Sequence, residues 1–523
     1  MRKPLSELVS YQSLHTHAHD IQGHTLRELF AQKPNRFDVF SHSIDSLLLD
    51  YSKNRVTEET IDKLLALFYE CEVESWRDKM FAGELINTTE HRAVQHAALR
   101  DLNDATSAMA KNQLDVLQLM GAFVEQVRAG DFTDVVNIGI GGSHLGPMLV
   151  CDALSGFAET GLNVHFVANV DATEINRVLE KLNPASTLFI ITSKSFTTQE
   201  TLANADTAKN WLAADEQLKN TSAKHFVAVS ANVEKAVAFG IPQECVFPMW
   251  DEIGGRYSLW SAVGLSIVLY VGMPAFKELL RGANAMDEHF KKAQPKENLP
   301  VLLALLEIWN QHFLQASVHA VLPYDARLQY LPAYLQQLVM ESNGKYVDRA
   351  GNPLSVPSAP VVFGDVGTNA QHSFFQLLHQ GTQTVSCDFI GVAKAGHENS
   401  AQHDMLIANM IGQTQALMLG QTLEEVHDDP QLAAHKMFPG NRVSNTLLLK
   451  DLTPFTLGML LAMYEHKVFV QGIVLNINSF DQMGVELGKN LASNLLEKMQ
   501  NTDFVSDQDS STNALINFYK KHS

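Results

Sequence analysis

Along residues 1 to about 125, apolar side chains recur at three- and four-residue spacing, as in EETIDKLLALFYE and NQLDVLQLMGAFVEQV. That spacing gathers them on one face of a helix and predicts a helical N-terminal layer. From Asp131 the texture changes to short, β-branched apolar runs, FTDVVNIGI, NVHFVANV, TLFIITS, KHFVAVS and CVFPMW, separated by helix-like segments. Such alternation predicts a parallel sheet with crossover helices. After the polar KKAQPKENLP a second series begins, with VHAVLPYD, PVVFGDVG, TVSCDFIGVA and SNTLLLKDL. The chain is therefore expected to be an α/β protein with parallel sheets flanked by helices: a layer over 1–125, tandem α/β domains over 126–290 and 291–500, and a C-terminal tail over 501–523.

Composition narrows the partners. The 523 residues hold 39 Lys and Arg against 58 Asp and Glu, a net charge of −19. A field of that sign repels polyphosphate backbones, and no Lys/Arg-rich run offsets it, so nucleic acid is excluded as a general partner. With 46% hydrophobic residues the chain is expected to fold throughout. Cys71, Cys151, Cys245 and Cys387 match neither metal-pair spacing nor a disulfide framework, which points to a reducing, cytoplasmic compartment. The stretch TLGMLLAMYEHKVFVQGIVL is broken by Glu465, His466 and Lys467, and the N-terminus lacks the apolar core of a signal peptide. No membrane span is expected.

In open α/β sheets, ligands bind beyond the carboxyl ends of strands, so the segments following the apolar runs carry the chemistry. After VVNIGI comes Gly139-Ile140-Gly141-Gly142-Ser143-His144-Leu145-Gly146, a glycine-rich turn into a helix. His144 and Pro147 stand where a dinucleotide fingerprint and a P-loop would need Gly and Lys. After TLFIIT comes Ser193-Lys194-Ser195-Phe196-Thr197-Thr198-Gln199-Glu200. Thr197 and Glu200 have capping-box spacing, and four hydroxyls with a lysine at a helix start suit a phosphate monoester. Asp251 to Ser258 places two glycines before Arg256, so the backbone can turn sharply and present a guanidinium to an oxyanion. LPAYLQQLVMESNGK puts Glu341 in the last turn of a helix stopped by Asn343-Gly344, a placement suited to a general base. His372 begins a helix past a strand end, whereas His379 further along reads as a packing residue. Gln482 and Lys489 lie seven residues apart, two helical turns on one face.

DEIGGRYSLWSAVG and GIVLNINSFDQMGVELGK resemble the two signature regions of the glucose-6-phosphate isomerase family. NTTEHRAVQHAALR, VVNIGIGGSHLGP, ITSKSFTTQET, MESNGK, GTNAQHSFFQLLHQG and FPGNRVSN match further family motifs in the family's order, over roughly residues 25 to 500. The resemblance implies two sugar-isomerase domains with an added helical layer, a homodimer with shared active sites, and no cofactor or metal. It implies reversible aldose–ketose isomerisation of glucose 6-phosphate and fructose 6-phosphate through an enediolate, a step of glycolysis and gluconeogenesis. Ser193, Lys194, Ser195 and Thr198 then correspond to the phosphate loop, with Gly142 and Ser143 closing the sugar site. Glu341 corresponds to the base, Arg256 to the enediolate stabiliser, His372 and Lys489 to the ring-opening pair, and Gln337 and Gln482 to substrate-orienting glutamines. Ser195 stands where the family usually has Thr, and His144 where an acidic residue is frequent. Two rivals stand beside this reading: a non-catalytic regulatory module on the same fold, which would not need Glu341, Arg256, His372 and Lys489 together, and a metal-dependent isomerase, for which HTHAHD is the only dense ligand cluster.

Overall fold

The chain's first two strands, β1 (Ser41–Ile44) and β2 (Leu47–Asp50), lie inside the N-terminal stretch that apolar spacing assigned to helices. They form an antiparallel hairpin between helix Val9–Ile21 and the expected helix Glu58–Glu70. Two runs of four residues are too short for a period to register, and the strand that ties β2 into a sheet lies some four hundred residues further on. The computed structural model describes residues 2–104, 106–159, 161–218, 222–426, 430–501 and 503–523.

The first apolar series folds as β3 (Asp134–Ile138), β4 (Asn163–Val167), β5 (Thr187–Thr192), β6 (Phe226–Ser230) and β7 (Val246–Pro248). These make an all-parallel sheet of order β4-β3-β5-β6-β7, with Val136 opposite Phe189 and Ile190 opposite Val227. The second series supplies β8 (Val318–Tyr324), β9 (Val361–Gly364), β10 (Val385–Val392) and β11 (Ser444–Leu449). They run parallel to one another, and β2 joins antiparallel to β11, giving the order β1-β2-β11-β10-β8-β9. Every residue of β5, β6 and β10 is buried, which is why β5 and β6 read as apolar runs rather than alternating ones.

Helix Pro454–Leu475 has all of its side chains but Phe455 buried, including Glu465, His466 and Lys467. Each member of the triplet that interrupts its apolar run has a partner inside. Glu465 accepts from Trp260 Nε1 at 2.9 Å and bonds Arg100, whose Nη1 donates to Asp287 at 2.7 Å; Asp287 also meets His466 Nε2 at 2.6 Å. Lys467 donates to Glu307 at 2.9 Å, and His319 bridges Glu307 (3.0 Å) and Asp388 (3.1 Å). Burial alone would strip the proton from His319, but Glu307 and Asp388 outweigh it and push its pKa up to about 9. Such pairing is what lets charge persist in a dry core. Among the described residues one helix, Ala262–Lys292, is long and apolar enough to cross a membrane, and most of that stretch is buried inside the fold.

The chain divides into two compact units, Met1–Phe480 and Asp481–Ser523. The second contains helix Glu486–Gln500, which the sequence pattern grouped with the second α/β domain, together with Ser510–His522. Asn517 ties the intervening segment down by exchanging hydrogen bonds with the Val505 backbone at 2.9 and 2.7 Å.

Candidate active site

The glycine-rich turn forms as expected: β3 ends at Ile138, a 3-10 turn spans Gly141–Ser143, and helix Leu145–Ala153 follows. Two of its glycines are required by close approach. A Cβ on Gly142 would lie 1.9 Å from the Gly255 carbonyl oxygen and 2.6 Å from Arg256 N. Gly141 sits at φ +61° and faces Gln337, whose Nε2 would be 2.9 Å from an added Cβ. The turn is thus pressed against both the Arg256 loop and the helix that carries Glu341, with Ser143 half-buried beside it.

Beyond β5, Ser193 is buried and its hydroxyl lies 3.2 Å from that of Thr198, while the Ser195 and Thr197 hydroxyls pair at 2.6 Å. The expected capping box of Thr197 with Glu200 is not formed. Phe196 takes a left-handed conformation (φ 50°) that buries its ring against Phe239, so helix Gln199–Ala213 starts later, with Thr198 as N-cap making no side-chain cap bond. The hydroxyls therefore cluster at the mouth of a helix N-terminus instead of capping it, an arrangement open to an anion. Lys194 Nζ donates to the carbonyls of Asp251 (3.2 Å) and Ile253 (3.4 Å) and lies 3.2 Å from the Asp251 carboxylate. It ties the hydroxyl loop to the loop that carries Arg256.

Arg256 is buried in the 3-10 helix Gly255–Trp260. Its Nε donates to Ser342 Oγ at 2.6 Å, its Nη2 donates to the Ser479 carbonyl at 2.6 Å, and its Nη1 stands 3.5 Å from Glu341 Oε2. Tyr257 OH and Ser342 Oγ are 3.0 Å apart. Burial raises the Tyr257 phenol above its ordinary value, so it keeps its proton through the neutral range. Glu341 closes a π-helical turn, Gln337–Glu341, within the helix that runs from Leu331 to Asn343. Such turns re-aim side chains and recur at functional sites. Gln337 Nε2 donates to Glu341 Oε2 at 3.0 Å, and the Glu341 side chain stays 25% exposed. A carboxylate, a guanidinium and a glutamine amide thus converge next to the glycine turn.

The remaining candidates lie on other elements. His372 is exposed, at the C-terminal end of a short helix, Gly367–Gln371, rather than at a helix start. Among the described residues it makes no hydrogen bond or ion pair with Glu341 or Arg256. His379 packs as expected, against Phe375 and Phe438 with Nε2 2.8 Å from Gln413 Oε1. Gln482 and Lys489 belong to the C-terminal unit. They do not share a helix face, because a 3-10 turn over Met483–Val485 delays the helix start to Glu486; Lys489 is exposed and 3.3 Å from Glu486. The histidines of HTHAHD lie on helix Val9–Ile21, where His17 is buried against Thr60 at 2.7 Å, and no metal-holding group of three occurs among the described residues. Sequence reasoning missed Ser342, Asn343, Tyr257 and Ser479. The first three stood only as neighbours of Glu341 and Arg256 in their motifs, and Ser479 only as one unmarked residue of GIVLNINSFDQMGVELGK.

The profile of the phosphoglucose isomerase family matches residues 50–516. A glucose-6-phosphate isomerase from Chlorobium luteolum is 49% identical, the match covering 99% of this chain and 98% of that protein. One from Methylococcus capsulatus is 47% identical over 98% of this chain and 99% of its own length. A crystal structure of a glucose-6-phosphate isomerase from Chlamydia trachomatis superposes with a TM-score of 0.87 at 33% identity, covering all of both chains. With the glycine turn, hydroxyl loop, buried arginine and glutamate in place within that shared fold, the chain belongs to the phosphoglucose isomerase family.

Proposed function

We infer that this chain interconverts glucose 6-phosphate and fructose 6-phosphate, and the observation that carries the reading is Arg256 Nη1 standing 3.5 Å from Glu341 Oε2 beside the glycine turn. Gln337 and Arg256 both contact Oε2, so Oε1 is the oxygen that meets the substrate. In the open-chain aldose, Glu341 takes the proton from C2, the electron pair moves into the C1 carbonyl, and an enediolate forms. The O2 hydroxyl proton passes to O1, and return of the carbon-bound proton from Glu341 to C1 re-forms the carbonyl at C2 and gives the ketose. A positioned base is worth about 10²–10⁴-fold. The Arg256 guanidinium faces the developing oxyanion, a role worth about 3 kcal/mol. The hydroxyls of Ser193, Ser195 and Thr198, with Lys194, hold the phosphate.

His372 and Lys489 open the sugar ring, and Gln482 orients it. The exposure of His372 fits a role in the site of a partner chain, in a homodimer with shared active sites. The C-terminal unit supports that assembly, because Leu487, Leu491, Leu515 and Phe518 are all largely exposed on its two helices. The four free thiols favour a reducing cytoplasm, where the enzyme would serve glycolysis and gluconeogenesis. Purified protein supplied with fructose 6-phosphate should produce glucose 6-phosphate, measured with a coupling dehydrogenase. Glu341→Gln should lower kcat by at least about 10²-fold with little change in KM. A variant with kcat near the parent's would show that Glu341 is not the base.

A further inference from the structure

Arg256 can stabilise an enediolate only if its guanidinium plane is held toward the reacting carbons, and three residues decide that plane. We propose that Ser342 and Asn343, the two residues after the base, together with Tyr257, are positioning residues that lock Arg256 to Glu341 as one rigid unit. The inference rests on the reading of Arg256 as the enediolate stabiliser. A guanidinium only donates, so Ser342 Oγ accepts from Nε, and the Ser342–Tyr257 pair shares its remaining hydrogens at 3.0 Å. On the other side, Nη2 donates to the Ser479 carbonyl, and Ser479 is itself fixed because its hydroxyl donates to Asn343 Oδ1 at 2.7 Å. Asn343 Nδ2 in turn donates to the Val468 carbonyl at 3.0 Å, anchoring the set to the central buried helix. Nε and Nη2 are held from two directions, and a rigid fork held at two points has its plane fixed. Nη1 is thereby directed at the base. Ser342, Asn343, Tyr257, Arg256 and Ser479 are each no more than 3% exposed, so water does not readily replace a lost partner.

The base, the residue that accepts from its cation's Nε and the residue that fixes Ser479 are consecutive, Glu341-Ser342-Asn343, and the π-helical turn that ends at Glu341 sets all three at once. This differs from a general structural role in what it predicts. Removing the Ser342 hydroxyl should act on the transition state through Arg256 and on nothing else.

The test is a double-mutant cycle on the full-length enzyme with fructose 6-phosphate. Ser342→Ala should lower kcat by at least about tenfold, with KM close to the parent's, since a misplacement of about 1 Å at a catalytic group can cost 10²-fold. In an Arg256→Ala background the same change should have almost no further effect, because the group it positions is gone. Tyr257→Phe removes one hydroxyl while keeping the ring, and it should follow the same pattern should Ser342→Ala fail to fold. Equal losses with and without Arg256 would overturn the proposal, as would a Ser342→Ala enzyme with kcat near the parent's while Arg256→Ala is crippled. An Arg256→Ala enzyme of undiminished kcat would overturn the stabiliser reading itself, and the positioning role with it.

Discussion

The fit between the glycine turn and the Arg256 loop sets a quantitative demand on residue 142. A methyl carbon there would lie 1.9 Å from Gly255 O, and real Cβ atoms essentially never approach within 3.0 Å, so one loop must withdraw by at least 3.0 − 1.9 = 1.1 Å. All three clashing atoms are backbone, Arg256 N at 2.6 Å among them, so the withdrawal is transmitted to the guanidinium. Displacing a catalytic group by about 1 Å can cost 10²-fold, or about 2.7 kcal/mol in the barrier. Gly142→Ala should therefore lose kcat on the order of 10²-fold. Gly255→Ala supplies the control from the same contact, because a Cβ at 255 meets nothing within 4 Å and the change should leave kcat close to the parent's. Overpacking also costs about 1–3 kcal/mol of stability, so thermal midpoints and circular dichroism accompany the coupled assay and confirm that the fold survives. A Gly142→Ala enzyme of parental kcat, or equal losses for the two alanines, would refute the reasoning that links loop packing to the guanidinium.

Three further outcomes are expected. Ser193→Ala combined with Thr198→Ala should raise KM for fructose 6-phosphate at least about tenfold, since each charge-assisted hydrogen bond to phosphate is worth about 1.5–3 kcal/mol; an unchanged KM would mean the hydroxyls serve only the loop. Because the folded pKa of His319 is raised to about 9 from an unfolded 6.5, its contribution to stability is complete below about 6.5 and is lost as pH rises through 9, on the order of 3 kcal/mol in all. Thermal midpoints should fall across that interval, and His319→Gln should flatten the decline; an equally steep decline in the variant would exclude His319 as its source. Finally, Glu341→Gln and His372→Ala chains refolded together should regain about a quarter of parental activity if each site draws on both chains, since half the dimers recover one of two sites. No recovery, with mixed dimers confirmed by mass, would place both residues in one chain.

How much of this was legible depends on the range over which each feature is determined. The strands after Asp131 were readable because both faces of a covered parallel sheet are apolar, so each run announces itself in five or six residues. The hairpin Ser41–Asp50 was not, because it joins a sheet only through β2 pairing with β11, far along the chain. Helix Pro454–Leu475 looked like a broken apolar run because its charges are paid for by partners on other elements, Arg100, Glu307 and Asp287. At the site, the base, the arginine and the hydroxyl loop stood at strand and helix ends where local spacing points. The capping box of Thr197 failed because burial of Phe196 outweighed a local hydrogen bond.

The order of residues alone determined the α/β alternation, the glycine turn, the hydroxyl-rich helix start and the position of Glu341 near a helix end, because each is a matter of period or of a few adjacent residues. Tertiary structure decided which of them meet. Ser342 reaches Arg256 across 86 residues and Ser479 across 223, and neither contact leaves any trace in spacing. Hydrogen-bond geometry between buried groups is fixed by how whole elements pack, so the orientation of the guanidinium toward the base becomes visible only once the two loops and the helix are folded together.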